Sequence, residues 1–291
     1  MNNDTIIVTG GAGFIGSNIV QALNQRSQHE IIIVDSLGTD EKWKNLHGLE
    51  VEDILQPQTF IDLVQQRRIP SPAAVIHMGA CSSTTEKDAD YLLENNYRFT
   101  RILCEWALEQ NVRFITASSA ATYGDGSKGY SDSDEITPTL RPLNMYGMSK
   151  HLFDLWALRH HYYRHIVGLK FFNVYGPNEE HKGDMRSVVS KAFQQIRAEG
   201  KLKLFRSYHP DYADGEQKRD FIYVKDAVDV VLYFLDHPDR NGLVNCGTGK
   251  ARTWLDLGRA VFAALNLEPN IEFIPMPDEL QGKYQYFTQA D

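Results

Sequence analysis

The strongest constraint on the fold lies at the N-terminus, where Thr5-Ile6-Ile7-Val8-Thr9 runs straight into Gly10-Gly11-Ala12-Gly13-Phe14-Ile15-Gly16. A short β-branched run ended by glycines reads as a buried parallel strand. Gly10, Gly13 and Gly16 then form GxxGxxG at the start of a helix whose apolar face carries Ile15, Ile19, Val20 and Leu23. Glycines let the backbone turn tightly and approach a pyrophosphate, and the helix N-terminus offers unpaired N–H groups and a favourable dipole. A plain strand–helix turn would also explain isolated glycines. The next apolar run, Ile31-Ile32-Ile33-Val34, however, closes on Asp35, the acidic residue expected one strand later. In that context the loop predicts a nicotinamide dinucleotide site.

Strands continue to alternate with helices. Ala74-Val75-Ile76-His77, Arg113 to Ser118 and Ile166 to Phe172 read as further strands, with a helix from about Tyr91 to Glu109. This predicts an α/β fold, a Rossmann doubly wound parallel sheet with helices on both faces. After about Asn173 the pattern loosens. A helix from Arg186 to Glu199, a polar loop from Arg206 to Lys218, strands at Arg219 to Val224 and Leu243 to Gly247, and helices at Asp226 to Leu235 and Trp254 to Leu265 follow. The expected division is a dinucleotide-binding domain over 1–172, with returning segments at about 219–247. A smaller C-terminal α/β substrate lobe takes 173–218 and 248–291.

Bulk properties exclude several classes. The 291 residues are enough for a large core and a second lobe, and 42% hydrophobic with 23% charged residues is ordinary for a globular chain. A net charge of −8 argues against general nucleic-acid binding. Cys81, Cys104 and Cys246 are odd in number and widely spaced, which fits a reducing cytosol rather than disulfides or zinc. No apolar run reaches membrane length and no signal peptide precedes the first strand, so the protein reads as cytoplasmic.

The chemistry concentrates in three places. Asp35 suits a ribose 2′-OH and hence NAD. Lys42 and Lys44 follow closely and offer cations for a 2′-phosphate, hence NADP, although surface lysines are commonly just solvated. Gly79-Ala80-Cys81-Ser82 follows a strand end, where small residues let a cofactor pack over the sheet. Cys81 reads as a packing residue, since no base adjoins it. Ser119, Tyr146 and Lys150 are the parts for proton and hydride transfer at a carbinol carbon. Tyr146 and Lys150 lie one helical turn apart, and a lysine cation, together with the nicotinamide's positive charge, favours tyrosinate over a phenol of pKa about 10. Ser119 would hydrogen-bond the same substrate oxygen. His160, His161 and His165 match no zinc spacing and read as helix-surface residues, so no metal is expected.

These motifs, with Arg219-Asp220-Phe221-Ile222-Tyr223-Val224-Lys225-Asp226 and Asn245-Cys246-Gly247-Thr248-Gly249, resemble the extended short-chain dehydrogenases/reductases over essentially the whole chain. Within them the chain is similar to the ADP-glyceromanno-heptose 6-epimerase family. The segments that carry this are Gly79 to Glu86, Phe171 to Pro177, His181-Lys182-Gly183 and Tyr284-Gln285 with Phe287-Thr288-Gln289-Ala290-Asp291. The resemblance implies inversion of C6″ of an ADP-heptose for the lipopolysaccharide core, through a transient 6″-ketone, with tightly held NADP or alternatively NAD. It implies two bases, Tyr146 and Lys182. It places Phe14, Ile15, Ser36, Met78, Asn95 and Val174 near the cofactor. Asn173, Asp184, Lys191, Phe205, Arg219 and Tyr284 fall near the substrate, with the planar fork of Arg219 suited to a diphosphate. It also implies a homo-oligomer, often a pentamer. Asp184, Lys191 and Pro57 depart from the family pattern, which has serine, histidine and lysine there. The family usually continues past the final Thr-Gln-Ala-Asp, so the chain reads as shortened.

Two other readings stay open at this level. Another sugar-nucleotide enzyme on the same fold, such as a UDP-sugar 4-epimerase, shares the Tyr/Lys pair. A 4,6-dehydratase needs an acid and a base after the serine, where this chain has Ala120 and Ala121. A dinucleotide-sensing protein without catalysis would not need Tyr146 and Lys150.

Overall fold

The computed structural model describes residues 4–26, 30–277 and 285–291. The chain opens with strand β1 (Ile6–Thr9) and helix α1 (Phe14–Arg26), then β2 (Ile31–Val34), β3 (Asp53–Leu55), helix α2 (Pro57–Gln65) and β4 (Ala74–His77). Helix α3 (Ala89–Leu92) passes through a π-helical turn, Leu93–Arg98, into α4 (Phe99–Glu109). Strand β5 (Arg113–Ser119), helix α5 (Met145–Arg159) and strand β6 (Val167–Phe171) follow.

The second half holds β7 (Asn173–Tyr175), helix α6 (Val188–Glu199), β8 (Leu202–Phe205), β9 (Lys218–Tyr223) and helix α7 (Val224–Asp236). It ends with β10 (Gly242–Cys246), β11 (Ala251–Thr253), helix α8 (Trp254–Ala264) and β12 (Ile271–Ile274).

Seven strands form one sheet in the order β10-β6-β5-β4-β1-β2-β3, and every pairing is parallel. Strand β1 lies between β2 and β4, so consecutive crossovers leave it in opposite directions. That reversal opens a crevice at the strands' C-terminal ends, where ligands of doubly wound folds bind. Helices cover both faces, because strands such as Ile6–Thr9 are apolar on both sides and buried throughout. Val20 and Leu23 of α1 pack with Val228 and Val231 of α7 on one face. Phe60 of α2, Leu103 and Trp106 of α4, and Phe153 and Trp156 of α5 fill the other.

The remaining strands form two small sheets, β11-β9-β7 and β12-β8. They share a separate core of Ile196, Leu204, Leu257 and Phe262. The segment read as a strand from Arg219 belongs to the first of these, whereas α7 and β10 return to the large sheet. Asp220 explains two family landmarks at once. Its buried carboxylate accepts from Thr248 N (2.8 Å), Thr248 Oγ1 (2.6 Å), Gly249 N (2.9 Å) and Ala290 N (3.1 Å). The Asn-Cys-Gly-Thr-Gly turn and the final segment are thereby fastened to β9. A buried carboxylate with this many donors is well satisfied.

Beneath the crevice, His77 connects three elements through a directed chain. Gly79 N donates to Thr9 Oγ1 (3.1 Å), which lies 2.6 Å from His77 Nδ1. His77 Nε2 lies 2.8 Å from Thr100 Oγ1, which donates to Asn96 O (2.6 Å). Only a ring carrying its proton on Nε2 satisfies every link. Burial, reinforced by the Lys150 charge, depresses this histidine to about 3. An unfolded histidine protonates near 6.5, so between these values only the unfolded state takes up the proton. Stability is therefore undiminished above 6.5 and falls by about 1.4 kcal/mol per pH unit below it from this group. Urea titrations across that window should show a shallower fall for His77→Gln than for the parent protein. Equal slopes would remove His77 from the acid transition.

Candidate active site

The crevice at the strand reversal contains a cavity of about 660 Å³. Its floor is the glycine turn after β1 and the Gly79 turn after β4, whose backbones touch. Gly10 has φ +68°, and a Cβ there would sit 2.7 Å from Gly79 N. A Cβ on Gly16 would sit 2.0 Å from Gly10 O. Side chains at either position would push the turn out of the crevice, so the glycines are required sterically. Gly13, Phe14 and Ile15 line the same turn, and Met78, Ala80, Cys81 and Ser82 line the facing one. This cradle of exposed backbone at a helix N-terminus fits a dinucleotide pyrophosphate.

Asp35 is held more firmly than its ribose-binding reading requires. Its Oδ2 accepts from Ala12 N (2.9 Å), and its Oδ1 accepts from Ser36 N (2.8 Å) and Lys42 Nζ (2.7 Å). The carboxylate thus braces the glycine turn and is neutralised by Lys42. Lys44 pairs with Glu41 on the surface instead. A second cavity of about 170 Å³ opens beside Asp35, Ser36 and Lys42, and Asn95, Tyr91 and Pro57 line it too.

Ser119, Tyr146 and Lys150 reach the large cavity together. Ser119 sits where β5 ends, caps the following turn by accepting from Ala121 N (3.1 Å), and hydrogen-bonds the Tyr146 hydroxyl. Helix α5 begins at Asn144, whose side chain accepts from Gly147 N (2.7 Å), and this cap aims Tyr146 at the crevice. Lys150 is 4% exposed, and its Nζ donates to Ala117 O (2.9 Å). Burial lowers its ammonium to about 8, against the pull of Asp154.

The expected bias toward tyrosinate is not present in the protein alone. Burial raises the Tyr146 phenol, with Ser119 opposing and Cys81 adding to it. Desolvation disfavours the phenolate, and Lys150 is turned toward a carbonyl, so the resting residue is the neutral phenol.

Sequence reasoning missed the residue that joins these parts. Asn96 is fully buried. Its amide donates to Cys81 O (2.9 Å) and Ser149 Oγ (3.0 Å), and its oxygen accepts from Cys81 N (2.9 Å) and Asn95 Nδ2 (3.1 Å). Ser149 in turn donates to Tyr146 O (2.7 Å). Asn96 therefore ties the turn after β4 to the helix that carries Tyr146 and Lys150. It lies in the π-helical turn, and such turns often mark functional positions. A sequence shows no signal for a single wide turn inside a helix.

Lys182 lines the same cavity from a separate loop, in a 3-10 turn spanning Glu180–Met185. Its Nζ lies 5.5 Å from the centre of the Phe14 ring, and burial lowers its ammonium despite Glu179. The loop is riveted to the cofactor turn. Asn45 Nδ2 contacts Ala12 O (3.0 Å), Asn178 O (3.1 Å) and His181 Nδ1 (3.1 Å). Asn18 donates to Pro177 O (3.1 Å) and Asn178 to Ser17 Oγ (3.0 Å). Asn173 and Val174 of β7 line the cavity as well.

The substrate-side expectations divide. Asp184 and Lys191 are exposed, and neither they nor Phe205 nor Arg219 line the cavity. Arg219 is 7% exposed, lies 5.6 Å over the Trp254 ring and donates to Lys218 O (2.9 Å) and to Gln285 O. Trp254, Phe221, Arg186 and Ser187 line the cavity instead. Tyr284 lies outside the described residues. Among the described residues no cluster of metal-ligating side chains occurs, and no helix is long and apolar enough to cross a membrane.

Comparison with known proteins places this geometry in context. Residues 6–247 match the model of the NAD dependent epimerase/dehydratase family. ADP-L-glycero-D-manno-heptose-6-epimerase of Nitratidesulfovibrio vulgaris (strain DP4) is 60% identical over 285 residues, covering 98% of this chain and 88% of the relative. The enzyme of that name from Fusobacterium nucleatum is 48% identical over 98% of this chain and 89% of its own length. The crystal structure of Helicobacter pylori ADP-L-glycero-D-manno-heptose-6-epimerase superposes with a TM-score of 0.81 at 28% identity, covering 99% and 87% of the two chains. A UDP-N-acetylglucosamine 4-epimerase from Methanobrevibacter ruminantium, 24% identical with a TM-score of 0.83, shares the fold. With its parallel sheet, its glycine cradle and these relatives, the chain belongs to the NAD dependent epimerase/dehydratase family.

Proposed function

We infer that this protein is an ADP-L-glycero-D-manno-heptose-6-epimerase, which inverts C6″ of the ADP-heptose through a 6″-keto intermediate. The observation that carries the reading is one cavity flanked by a Ser119–Tyr146–Lys150 group and, from a separate loop, Lys182. An epimerase of this kind must take hydride from one face of a carbon and return it to the other, with proton exchange at the oxygen in both orientations, and Lys182 offers a second proton-handling group for the second orientation. The 60% identity to a relative of that name supports the substrate.

The dinucleotide is held by the glycine cradle, the Gly79 turn and the Asp35–Lys42 pair. When bound, it supplies a hydride acceptor and donor and, in its oxidised form, a positive charge beside the phenol. With that charge in place the Tyr146 phenol gives its proton to solvent, and the phenolate then takes the proton from the C6″ hydroxyl as the carbon is oxidised, while Ser119 donates a hydrogen bond to the oxygen that becomes the ketone. Lys150 holds positive charge beneath the phenol. After the ketone presents its other face, Lys182 delivers the proton to oxygen as the carbon is reduced. Burial lowers the Lys182 ammonium, which makes it a readier proton donor than an exposed lysine. Over one cycle the substrate has neither gained nor lost electrons. Trp254 and Phe221 add apolar lining to the cavity.

NADP is the favoured dinucleotide. The carboxylate of Asp35 already carries Lys42 at 2.7 Å, so its repulsion of a 2′-phosphate is offset, and Lys42 also faces the second cavity. The free thiols of Cys81, Cys104 and Cys246 suit a reducing cytoplasm.

Two experiments test this. Conversion of ADP-D-glycero-D-manno-heptose, followed by NMR at C6″ without added cofactor, should fall by about two to three orders of magnitude in Tyr146→Phe and in Lys182→Met. Undiminished turnover in Lys182→Met would remove the second base. Lys42→Ala should weaken NADP by roughly tenfold while leaving NAD little changed, as expected for one charged contact. Equal effects on both would argue that Lys42 does not read the phosphate.

A further inference from the structure

Next to the reaction centre lies a buried charged cluster around Asp154 and Lys170 that the scheme above does not use. Asp154 follows Lys150 by one turn of α5, which puts both side chains on one helix face. Asp154 is fully buried, and it accepts hydrogen bonds from Ser118 Oγ (2.8 Å) and Tyr163 OH (2.8 Å). Ser118 is the chain neighbour of Ser119 and pairs in register with Lys170 on β6.

Lys170 is fully buried too. Its Nζ lies 3.9 Å from Asp154 Oδ2 and 4.4 Å from the centre of the Tyr123 ring. Among the described residues it finds no hydrogen-bond partner. A buried ammonium is costly unless an anion accompanies it. Here two ammonium groups, Lys150 and Lys170, draw on one carboxylate.

We propose that Asp154, an anion shared between the buried ammonium groups of Lys150 and Lys170, is a positioning residue that keeps Lys150 charged beneath Tyr146. The proposal rests on the role given to Lys150 above. The groups around Lys150 are few. His77 of β4 is neutral, Cys81 faces it from the turn after β4, and Tyr146 and Asp154 share its helix. Around Asp154 stand Lys170, Tyr163, Tyr123 and His151. Burial acts to discharge Lys150 and Asp154 opposes it. Removing the carboxylate leaves burial unopposed. Removing Lys170 leaves the whole anion to Lys150.

The two changes therefore have opposite signs, and a merely structural pair would not behave so. The test is NMR titration of the protein grown on ε-carbon-labelled lysine, with the Lys150 signal assigned by its absence in Lys150→Ala. In Asp154→Asn the Lys150 midpoint should fall by about one to two pH units, and in Lys170→Met it should rise. Asp154→Glu should restore the parent midpoint. A parent-like midpoint in folded Asp154→Asn overturns the proposal. If that variant does not fold, Lys170→Met decides alone, and a midpoint that stays or falls overturns it. These titrations need no substrate. Failure of the protein to convert ADP-heptose would reject the functional reading and leave this result standing.

Discussion

Everything in this molecule is arranged around one backbone contact. The turn after β1 and the turn after β4 meet at Gly10 and Gly79 with no room for a side chain between them. The strand order reverses between β1 and β4 at this point, and the crevice opens beside the two turns. Asp35 braces the first turn through Ala12, and Asn96 braces the second through Cys81. His77 joins both from beneath. The polar groups at the base of the site are thus consumed in holding backbone, and the cavity wall is left to backbone amides and a handful of reactive side chains.

The large sheet was legible because its strands are apolar on both faces and short. Ile6–Thr9, Ile31–Val34 and Ala74–His77 coincide with runs that a reader picks out directly. Elements that escaped notice are those without such a signature. Asp53–Leu55 and Ala251–Thr253 are three residues each and partly exposed, and each pairs along the edge of a neighbouring strand. The helix expected over Tyr91 to Glu109 is interrupted by the wide turn at Leu93–Arg98, which depends on the tertiary bonds of Asn96.

The site shows the same division. Ser119, Tyr146, Lys150 and the glycine loop were legible as motifs, since close spacing along one element carries over directly into space. Asp154 and Lys170 were not, because their meaning arises from the register of β5 against β6. Spacing shows that Lys150 lies one turn from Tyr146 but does not show the burial that raises the phenol in the protein alone. Arg219 and Phe205 belong to the small sheets, where packing over Trp254 and pairing with β12 account for them in the protein alone.

The fastening of the Lys182 loop joins two parts of the site that the chain order keeps far apart. Asn45, Asn18 and Asn178 secure the segment around Lys182 to the glycine turn and the helix that follows it. Asn45 alone reaches Ala12 on one side and Asn178 and His181 on the other. The cradle for the dinucleotide and the loop that carries the second lysine therefore share one set of amide bridges, so a change at a single asparagine remote from the reacting carbon disturbs both.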